Sequence, residues 1–440
     1  MRNKMFGVDA LVELKNGKMT AAINLDNSAT TPPFKAVMQS IKNQLYYYGS
    51  IGRGKGQKSA HSTDIYANGR EIVKDFVGAS SDDYTVFYAN STTDGMNKLA
   101  SALIENPNDV VITTRMEHHA NDLPWRERCQ VLHCEVDELG RLDLGHMAQL
   151  LSENAGNVKF VSVTAASNVT GYVNDVHTIA KMAHQAGAQI VVDGAQIVSH
   201  RAFHMIGSSP DEDIDYFVFS AHKMYSPFGG GAVIGRSNVL DNKIPTFYGG
   251  GMVSAVCDES VVYLPAPDAF EAGSPNYPGV VGMLKSMSIL KCVGFDAIIE
   301  HEQTLLKRTI AGLSKIPHVT LYGDNSFICD RVGIIVFNVD GVVPEVVSQY
   351  LADYYAIATR HAAFCAHPYV RRLTNQQETT PTCTSPTGMI RVSFGIYNTE
   401  EDVDVLIQAV KCFVKKRDLY LDHNPMSHTT MVGTIPMDRG

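Results

Sequence analysis

Short apolar runs alternate with amphipathic stretches along most of the chain. Runs rich in Val, Ile and Phe predict strands that are buried on both faces, at residues 84–88, 109–113, 158–163, 189–192 and 216–219. Apolar residues three and four positions apart predict helices at residues 93–105 and 177–186. Because strands and helices alternate, the sequence predicts an α/β fold with a mainly parallel sheet.

The pattern changes near residue 291, where a helix leads into shorter strands at 333–339 and 389–394 and then a closing helix from Thr399. These elements predict a second, smaller α+β domain at the C-terminal end. The predicted organisation, in chain order, is an N-terminal lead-in at 1–22, a large domain at 23–290, a small domain at 291–422 and a tail of unknown role at 423–440.

Composition narrows the class of protein. Apolar residues make up 45% of the 440 residues and charged residues 19%, as in a packed protein. The net charge of −9 makes nucleic acid and an anionic membrane poor partners. No apolar run approaches the ~20 residues that span a bilayer, and the scattered charges of residues 1–18 argue against a signal peptide. The eight cysteines form no tight pattern, which is typical of reduced thiols in a cytoplasmic protein.

Candidate chemistry begins with Lys223, which follows a predicted strand and precedes a glycine-rich turn ending at Gly231. Burial at the end of a strand lowers the pKa of a lysine and makes its amine nucleophilic, so that it can hold an aldehyde cofactor as a Schiff base. A surface lysine at a strand end is the alternative interpretation.

Asp193 ends another apolar run, at the edge where α/β sheets bind ligands. Pyridoxal phosphate requires a carboxylate against its ring nitrogen, because the protonated ring is the electron sink. Gln196, three residues later, can reach the ring hydroxyl. An aspartate that caps a helix fits the same position.

Hydroxyl groups and free backbone N–H groups at the start of the helix near residue 93 predict an anion site. A phosphate would lie on Thr92 and Thr93, with further donors from Ser220 and His222. An ordinary helix cap is the alternative.

Histidines follow the strand at 109–113. His118 can stack on a cofactor ring and move protons near neutral pH. A zinc site built from His118, His119, His133 and Cys134 is the alternative, but adjacent histidines point apart on a strand and no second ligand pair has finger spacing. The sequence therefore predicts no metal.

Two residues of the predicted small domain complete the set. Cys365 lies among small residues and histidines, a setting that predicts an accessible thiol with a lowered pKa; a buried structural cysteine is the alternative. Arg391 interrupts an apolar strand and predicts either a clamp for a substrate carboxylate or an internal salt bridge.

Together, and in this order, these signals closely resemble the class V group of fold-type-I pyridoxal-phosphate enzymes, and within it the cysteine desulfurases and selenocysteine lyases. The resemblance runs from about residue 23 to residue 413. The segments that carry it are residues 25–31 (LDNSATT), 92–93, 116–121 (MEHHAN), 124–125, 167–169, 193–196 (DGAQ), 220–223 (SAHK), 271–275 (EAGSP) and 391–393 (RVS).

The resemblance implies a large domain with a seven-stranded type of sheet, a smaller α+β domain and a homodimer. It also implies a role for each matching residue. Lys223 would bind the cofactor aldehyde and move the Cα proton, with Asp193 on the ring nitrogen, Gln196 on the ring oxygen, His118 on the ring face and Asn168 beside ring and substrate. Thr92, Thr93, Ser220 and His222 would hold the phosphate, and Ser274 would reach the phosphate of the neighbouring subunit. Arg391 would clamp the substrate carboxylate, Cys365 would accept sulfur, and Arg360 would lie five residues before it.

The chain departs from the family pattern at two places near the substrate. Members usually carry His-Arg-Gly and a second histidine where this chain reads Gly52-Arg-Gly-Lys-Gly56. They usually read Arg-Thr-Gly before the reactive cysteine, where this chain has Arg360-His-Ala. These changes bear on the substrate and leave the cofactor residues intact.

The sequence thus predicts a cysteine desulfurase, which converts L-cysteine to L-alanine and leaves the sulfur on Cys365 as a persulfide for a possible acceptor protein, or a selenocysteine lyase. The alternatives are another class V reaction on a small amino acid, by a C–S lyase, an epimerase or an aminotransferase, and a scaffold that has lost catalysis. Product identity separates them, because alanine favours the first reaction and pyruvate or a keto acid the second.

Overall fold

The computed structural model describes residues 1–52, 54–79, 82–244, 247–376 and 387–421. The predicted tail at 423–440 lies outside the described residues. Within the described ranges, no helix is long and apolar enough to cross a membrane.

The strands, in chain order, are β1 (Leu11–Glu13), β2 (Met19–Ala21), β3 (Ile23–Asn24), β4 (Tyr84–Ala89), β5 (Val110–Thr114), β6 (Gln130–Cys134), β7 (Val158–Thr164), β8 (Gln189–Asp193), β9 (Tyr216–Ser220), β10 (Gly231–Arg236), β11 (Val253–Val256), β12 (Val261–Tyr263), β13 (Val319–Leu321), β14 (Ile334–Val339), β15 (Ile357–Ala358), β16 (Arg360–Ala362) and β17 (Met389–Ser393). The helices are α1 (Lys35–Leu45), α2 (Gln57–Phe76), α3 (Thr92–Leu103), α4 (Leu123–Arg126), α5 (Leu144–Glu153), α6 (Val176–Gln185), α7 (Ser237–Leu240), α8 (Tyr277–Val293), α9 (Phe295–Leu313), α10 (Pro344–Tyr355), α11 (His367–Leu373) and α12 (Glu400–Val414).

A seven-stranded sheet forms the large lobe, in the order β4-β10-β9-β8-β7-β5-β6. The strands from β9 to β6 are parallel to one another, and β10 runs antiparallel to both β4 and β9. Each predicted strand of the large domain lies within one or two residues of an observed one, so the predicted α/β fold with a mainly parallel sheet is confirmed.

Burial on both faces explains why the apolar runs become parallel strands. Every residue of β5 and β9 is buried, as is every residue of β8 after Gln189. Helices cover both faces, so a strand without an alternating polar side is stable only in this interior position. Since the carboxyl ends of β5, β7, β8 and β9 meet at one edge, the loops that follow them converge there.

Helix α3 shows how local sequence sets an element that the site depends on. The side chain of Ser91 accepts a hydrogen bond from the backbone N–H of Asp94 at 3.2 Å and so caps the helix. Met96, Leu99 and Leu103, three and four residues apart, are buried on one face of the helix. The N-terminus of α3 is therefore held at the carboxyl edge of the sheet.

The small lobe contains a four-stranded sheet in the order β13-β14-β17-β16, packed against α9, α10 and α12. Strand β15 pairs in parallel with β3, at residues 23–24, which lie at the predicted start of the large domain. Helix α8 continues to Val293, across the predicted boundary at residue 290. The predicted lead-in carries the hairpin β1–β2, and Arg2 pairs with Asp402 at 3.2 Å.

One ionisable contact of the large lobe predicts how stability depends on pH. The His184 Nε2 atom lies 2.8 Å from Asp215 Oδ2. The hydrogen bond to Asp215 raises the pKa of His184 above its usual value, against a smaller opposing effect of burial. The charged imidazole therefore stabilises the fold at low pH, and this contribution is lost as the pH rises through the folded-state pKa.

We therefore expect His184→Gln to lower the thermal midpoint more at pH 6 than at pH 9. His177→Gln is the matched control, because His177 lies on the same helix and contacts a backbone carbonyl, that of Glu212, at 2.7 Å. An equal loss at both pH values for His184→Gln would contradict the assignment.

Candidate active site

An open cavity of about 240 Å³ lies where the carboxyl edge of the large sheet meets the small lobe. It brings together most of the residues that the sequence predicts for the site. Those that line it are Thr92, Thr93, His118, Asn168, Asp193, Ser220, His222, Lys223, Arg360, Cys365 and Arg391.

Lys223 lies in a short turn, Ala221–Lys223, that directly follows β9. Burial lowers the pKa of its amine to about 8, although the neighbouring Asp193 carboxylate acts in the opposite direction. The turn is braced by Thr31, whose N–H donates to the His222 carbonyl at 3.0 Å and whose Oγ1 accepts from the Tyr225 N–H at 2.7 Å. Segment 25–31 thus supports the lysine, a role that its sequence did not reveal.

Asp193 is the last residue of β8 and is buried. One of its carboxylate oxygens, Oδ1, accepts the N–H of Ala195 at 2.9 Å. Burial raises the pKa of Asp193, while this hydrogen bond and the Lys223 amine lower it. The carboxylate therefore faces the cavity as a site for a cationic or N–H group.

A cluster of hydroxyl and N–H groups lies at the N-terminus of α3. The N–H of Thr92 donates to Ser220 Oγ at 2.6 Å, and the two hydroxyls of these residues lie 2.8 Å apart. Burial lowers the pKa of the neighbouring His222 to about 4, so this imidazole is neutral at physiological pH. The first turn of a twelve-residue helix, two hydroxyl side chains and a ring nitrogen form an anion site.

His118 begins the turn His119–Asn121, and its Nδ1 atom accepts the N–H of Ala120 at 3.0 Å. Burial, with a smaller effect of Lys223, lowers the pKa of His118 to about 3. The two histidines follow β5, as predicted, and they lie at the start of this turn instead of on a strand. His133 bonds Asp122 at 2.9 Å instead of joining them.

Glu117, next to His118, is a buried acid that sequence reasoning left without a role. Burial raises the pKa of its carboxyl group to about 8, and hydrogen bonds from Thr114, Asn121 and Thr164 oppose that effect. The sequence carries no clear signal for this residue, because an acidic residue between a buried strand and a histidine is typical of a loop.

Arg391 forms an internal salt bridge, which was one of its two predicted interpretations. It is 3% exposed, and its Nη2 atom forms a salt bridge to Asp26 at 3.0 Å, while Nη1 donates to the Asn168 carbonyl at 2.8 Å. Its Nε atom has no hydrogen-bond partner among the described residues. Arg360 is largely exposed, 3.8 Å from the other oxygen of Asp26. The two guanidinium groups line the cavity, and Asp26 lies between them.

Cys365 is exposed and lies in the loop after β16. Ala362, Phe364 and Cys365 all have positive φ, at 85°, 53° and 54°, a strained conformation for residues other than glycine. Two hydrogen bonds hold the loop: Asn168 Nδ2 donates to the Phe364 carbonyl at 2.8 Å, and the His119 N–H donates to the Cys365 carbonyl at 2.7 Å. The thiol is thus fixed at the cavity mouth.

Gln196 and Ser274 do not line the cavity. Gln196 is buried and donates to the carbonyl of Ser28, a residue of the cavity wall, at 3.0 Å. Ser274 is exposed and lies beside a separate depression near Tyr66 and Glu271.

Residues at which the chain departs from the family pattern have positive φ angles. Gly52 and Gly56 have φ values of 94° and 107°, in a region that a histidine enters only with strain. Ala362 occupies the place where the family usually has glycine, and it nevertheless has a positive φ. The described residues of the 49–56 loop do not line the cavity of this chain.

The residues that line the cavity fit pyridoxal phosphate. A desolvated amine lies beside a buried carboxylate, a neutral imidazole faces the same space, and an anion site of hydroxyls and N–H groups completes it. In addition, two buried polar atoms on the cavity wall, Ser28 Oγ and Arg391 Nε, have no partner in the described part of the chain.

Comparisons with known proteins agree with this geometry. Residues 23–406 match the family model described as aminotransferase class-V. The cysteine desulfurase of Haloferax volcanii is 34% identical over 400 residues, which cover 89% of each chain. That of Enterobacter sp. is 33% identical over 88% of this chain and 92% of its own. The apo structure of the cysteine desulfurase from Thermococcus onnurineus has a TM-score of 0.80 at 29% identity, over 90% of this chain and 95% of that one. The predicted resemblance is confirmed, and the chain belongs to the class V aminotransferase family.

Proposed function

We propose that the protein is a pyridoxal-phosphate-dependent cysteine desulfurase, which converts L-cysteine to L-alanine and transfers the sulfur to Cys365, or that it acts on selenocysteine as a lyase. The observation that carries the proposal is that Lys223, Arg391 and Cys365 line one cavity. Amine, carboxylate clamp and thiol are the three groups that such a reaction needs. The relatives named above bear the cysteine desulfurase name.

The residues of the large lobe would hold the cofactor. Lys223 would bind its aldehyde, Asp193 its ring nitrogen, His118 one ring face, and Thr92, Thr93, Ser220 and His222 its phosphate. Gln196 would donate to the ring oxygen, and its present hydrogen bond to the Ser28 carbonyl would then have to break. When bound, the cofactor supplies an electron sink for the carbon from which sulfur departs.

The residues of the small lobe would hold the substrate. Arg391 would take its carboxylate, since its Nε atom is unpartnered and Asp26 keeps the guanidinium in place. Asn168, which already touches both Arg391 and the Cys365 loop, would lie beside the substrate. Arg360, at the outer edge, would add positive charge at the entrance.

Sulfur transfer requires the Cys365 thiolate to attack the substrate sulfur. A sulfur–sulfur bond forms and the carbon–sulfur bond breaks, while the electron pair stays with the carbon, which takes a proton and becomes the methyl group of alanine. The Lys223 amine and the His118 imidazole are the groups that would move protons. Because Cys365 is exposed, the persulfide would be accessible to an acceptor protein.

We also propose a homodimer, in which Ser274 would reach the neighbouring phosphate. The N–H of Gly273 donates to the Gly250 carbonyl at 2.8 Å, which places Ser274 next to the segment that carries Phe247 and Tyr248. These two aromatic side chains are 63% and 66% exposed. An exposed aromatic surface of this kind favours association with a second copy.

The product of the reaction tests the proposal. Purified protein incubated with cysteine, selenocysteine or cystathionine, with the carbon product identified by mass spectrometry, should yield alanine from cysteine or selenocysteine. Pyruvate, a keto acid or a racemised amino acid as the main product would favour the alternative class V reactions instead.

The amine of Lys223 is tested by reductive trapping. Borohydride added to the protein with pyridoxal phosphate should place the cofactor on the peptide containing Lys223, because that amine is neutral in a larger fraction than ordinary lysines. Lys223→Ala should carry no label. A label on another lysine of the wild-type protein would contradict the assignment.

The thiol of Cys365 is tested by truncation. Cys365→Ala should lower alanine formation from cysteine by about a hundredfold or more, because the attacking group is lost, while reductive trapping at Lys223 stays normal. Cys292→Ala, at another exposed cysteine, is the matched control and should retain full activity. Normal turnover of Cys365→Ala would exclude the acceptor role.

A further inference from the structure

Glu117 carries a wholly enclosed carboxyl group that the proposed reaction does not use. It is 2% exposed and lies next to His118 in the chain. Its Oε1 atom accepts the hydroxyl of Thr114 at 2.7 Å and the backbone N–H of Thr164 at 3.0 Å. Its Oε2 atom accepts the side-chain amide of Asn121 at 2.6 Å.

The groups around Glu117 are arranged as donors. The N–H of Thr164 cannot reverse its direction, since it is part of the backbone. The Asn121 amide is also fixed, because its Oδ1 atom accepts the indole N–H of Trp125 at 3.3 Å and the hydroxyl of Ser162 at 2.6 Å. The NH₂ group of Asn121 must therefore face Glu117, and only an acceptor satisfies it.

This bridge connects two groups that surround the cavity. Thr164 ends β7 and pairs in register with Asp193 at the end of β8. Glu117 and Asn121 flank the turn that carries His118. The Glu117 carboxyl group thus links the turn that begins at His118 to the strand that pairs with Asp193, through its hydrogen bonds to Asn121 and Thr164.

We propose that Glu117 is a positioning residue, which sets the separation between His118 and Asp193 and so the space that receives the aromatic ring of the cofactor. The inference rests on the proposed function, because it assigns these two groups to the ring face and the ring nitrogen. Burial of this acid is costly in free energy, and the hydrogen bonds to Thr114, Asn121 and Thr164 are the contacts that offset its desolvation.

Glu117→Gln tests the bridge. The glutamine side chain has almost the same size as glutamate, but one of its two terminal groups is an NH₂ group. This group faces either the Thr164 N–H or the Asn121 NH₂, so that two hydrogen-bond donors oppose each other. We expect the dissociation constant of pyridoxal phosphate, measured by titrating the apo-protein, to rise about tenfold or more, as for one unsatisfied buried group.

The single tryptophan of the chain reports on the same bridge without the cofactor. Trp125 is fully buried and donates to Asn121, which Glu117 holds. The emission maximum of the apo-protein should therefore shift in Glu117→Gln.

Exchanging the acceptor at residue 117 with the donor at residue 121 should restore the hydrogen bond between them. In Glu117→Gln combined with Asn121→Asp, the new amide at 117 donates to the new carboxylate at 121, which still accepts Trp125 and Ser162. Every hydrogen bond is then satisfied with donor and acceptor exchanged. We expect both the cofactor affinity, to within about threefold, and the Trp125 emission to return.

Glu302→Gln is the matched control, because Glu302 is also 2% exposed and bonds His200 and the Gly333 N–H away from the cavity. The inference would be overturned if Glu302→Gln and Glu117→Gln lowered the cofactor affinity equally, or if the Trp125 emission did not change in Glu117→Gln. A folded double variant that recovers neither the affinity nor the emission would also overturn it. If Glu117→Gln does not fold, Ser162→Ala removes one bond to Asn121, and wild-type affinity in that variant would overturn it.

The two proposals fail in different ways. If the proposed function is wrong, the wild-type protein takes no cofactor on Lys223. If only the role of Glu117 is wrong, the wild-type protein is labelled on Lys223, and Glu117→Gln binds the cofactor as tightly as the wild-type protein does.

Discussion

The removal of the Lys223 amine from water is the constraint on which the site depends. An ammonium group in this position would lose its hydration, so the amine is held with a lowered pKa beside the Asp193 carboxylate. Such an arrangement persists only in a rigid surrounding. The brace from Thr31 to the lysine turn and the hydrogen bond between Thr92 and Ser220 supply that rigidity.

Burial has opposite consequences for the different groups around this amine. It keeps His118 and His222 neutral, so that both imidazoles offer a lone pair or a flat face and add no positive charge next to the lysine. It raises the pKa of Glu117 to about 8, against the opposing effect of hydrogen bonds from the three residues that surround this carboxyl group. The same low-dielectric interior therefore produces a reactive amine, uncharged histidines and a structural acid.

The small lobe contributes Arg360, Cys365 and Arg391 to the cavity, and the loop that carries Cys365 is strained. Ala362, Phe364 and Cys365 occupy the left-handed region, and hydrogen bonds to Asn168 and His119 keep them there. Asn168 also accepts from Arg391, so that one residue of the large lobe contacts both the Cys365 loop and the buried guanidinium group. An alanine at 362, where relatives usually have glycine, adds to the cost of this loop.

The sequence by itself determined the layout of the large lobe. Short apolar runs rich in Val, Ile and Phe that alternate with amphipathic helices predict interior strands, and residues that follow their carboxyl ends, such as Asp193 and Lys223, then meet at one edge of a parallel sheet. It also predicted a set of candidate cofactor residues, because their types and order match a known family, and most of these residues line one cavity.

Only the tertiary structure decided the contacts made between distant segments. The pairing of Asp26 with Arg391, the support of Lys223 by Thr31, and the donor shell of Glu117 each join residues whose local sequence shows no preference for the partner. Hydrophobic periodicity reports which face of an element is buried, whereas the direction of a single buried hydrogen bond depends on where another strand or turn places its donor.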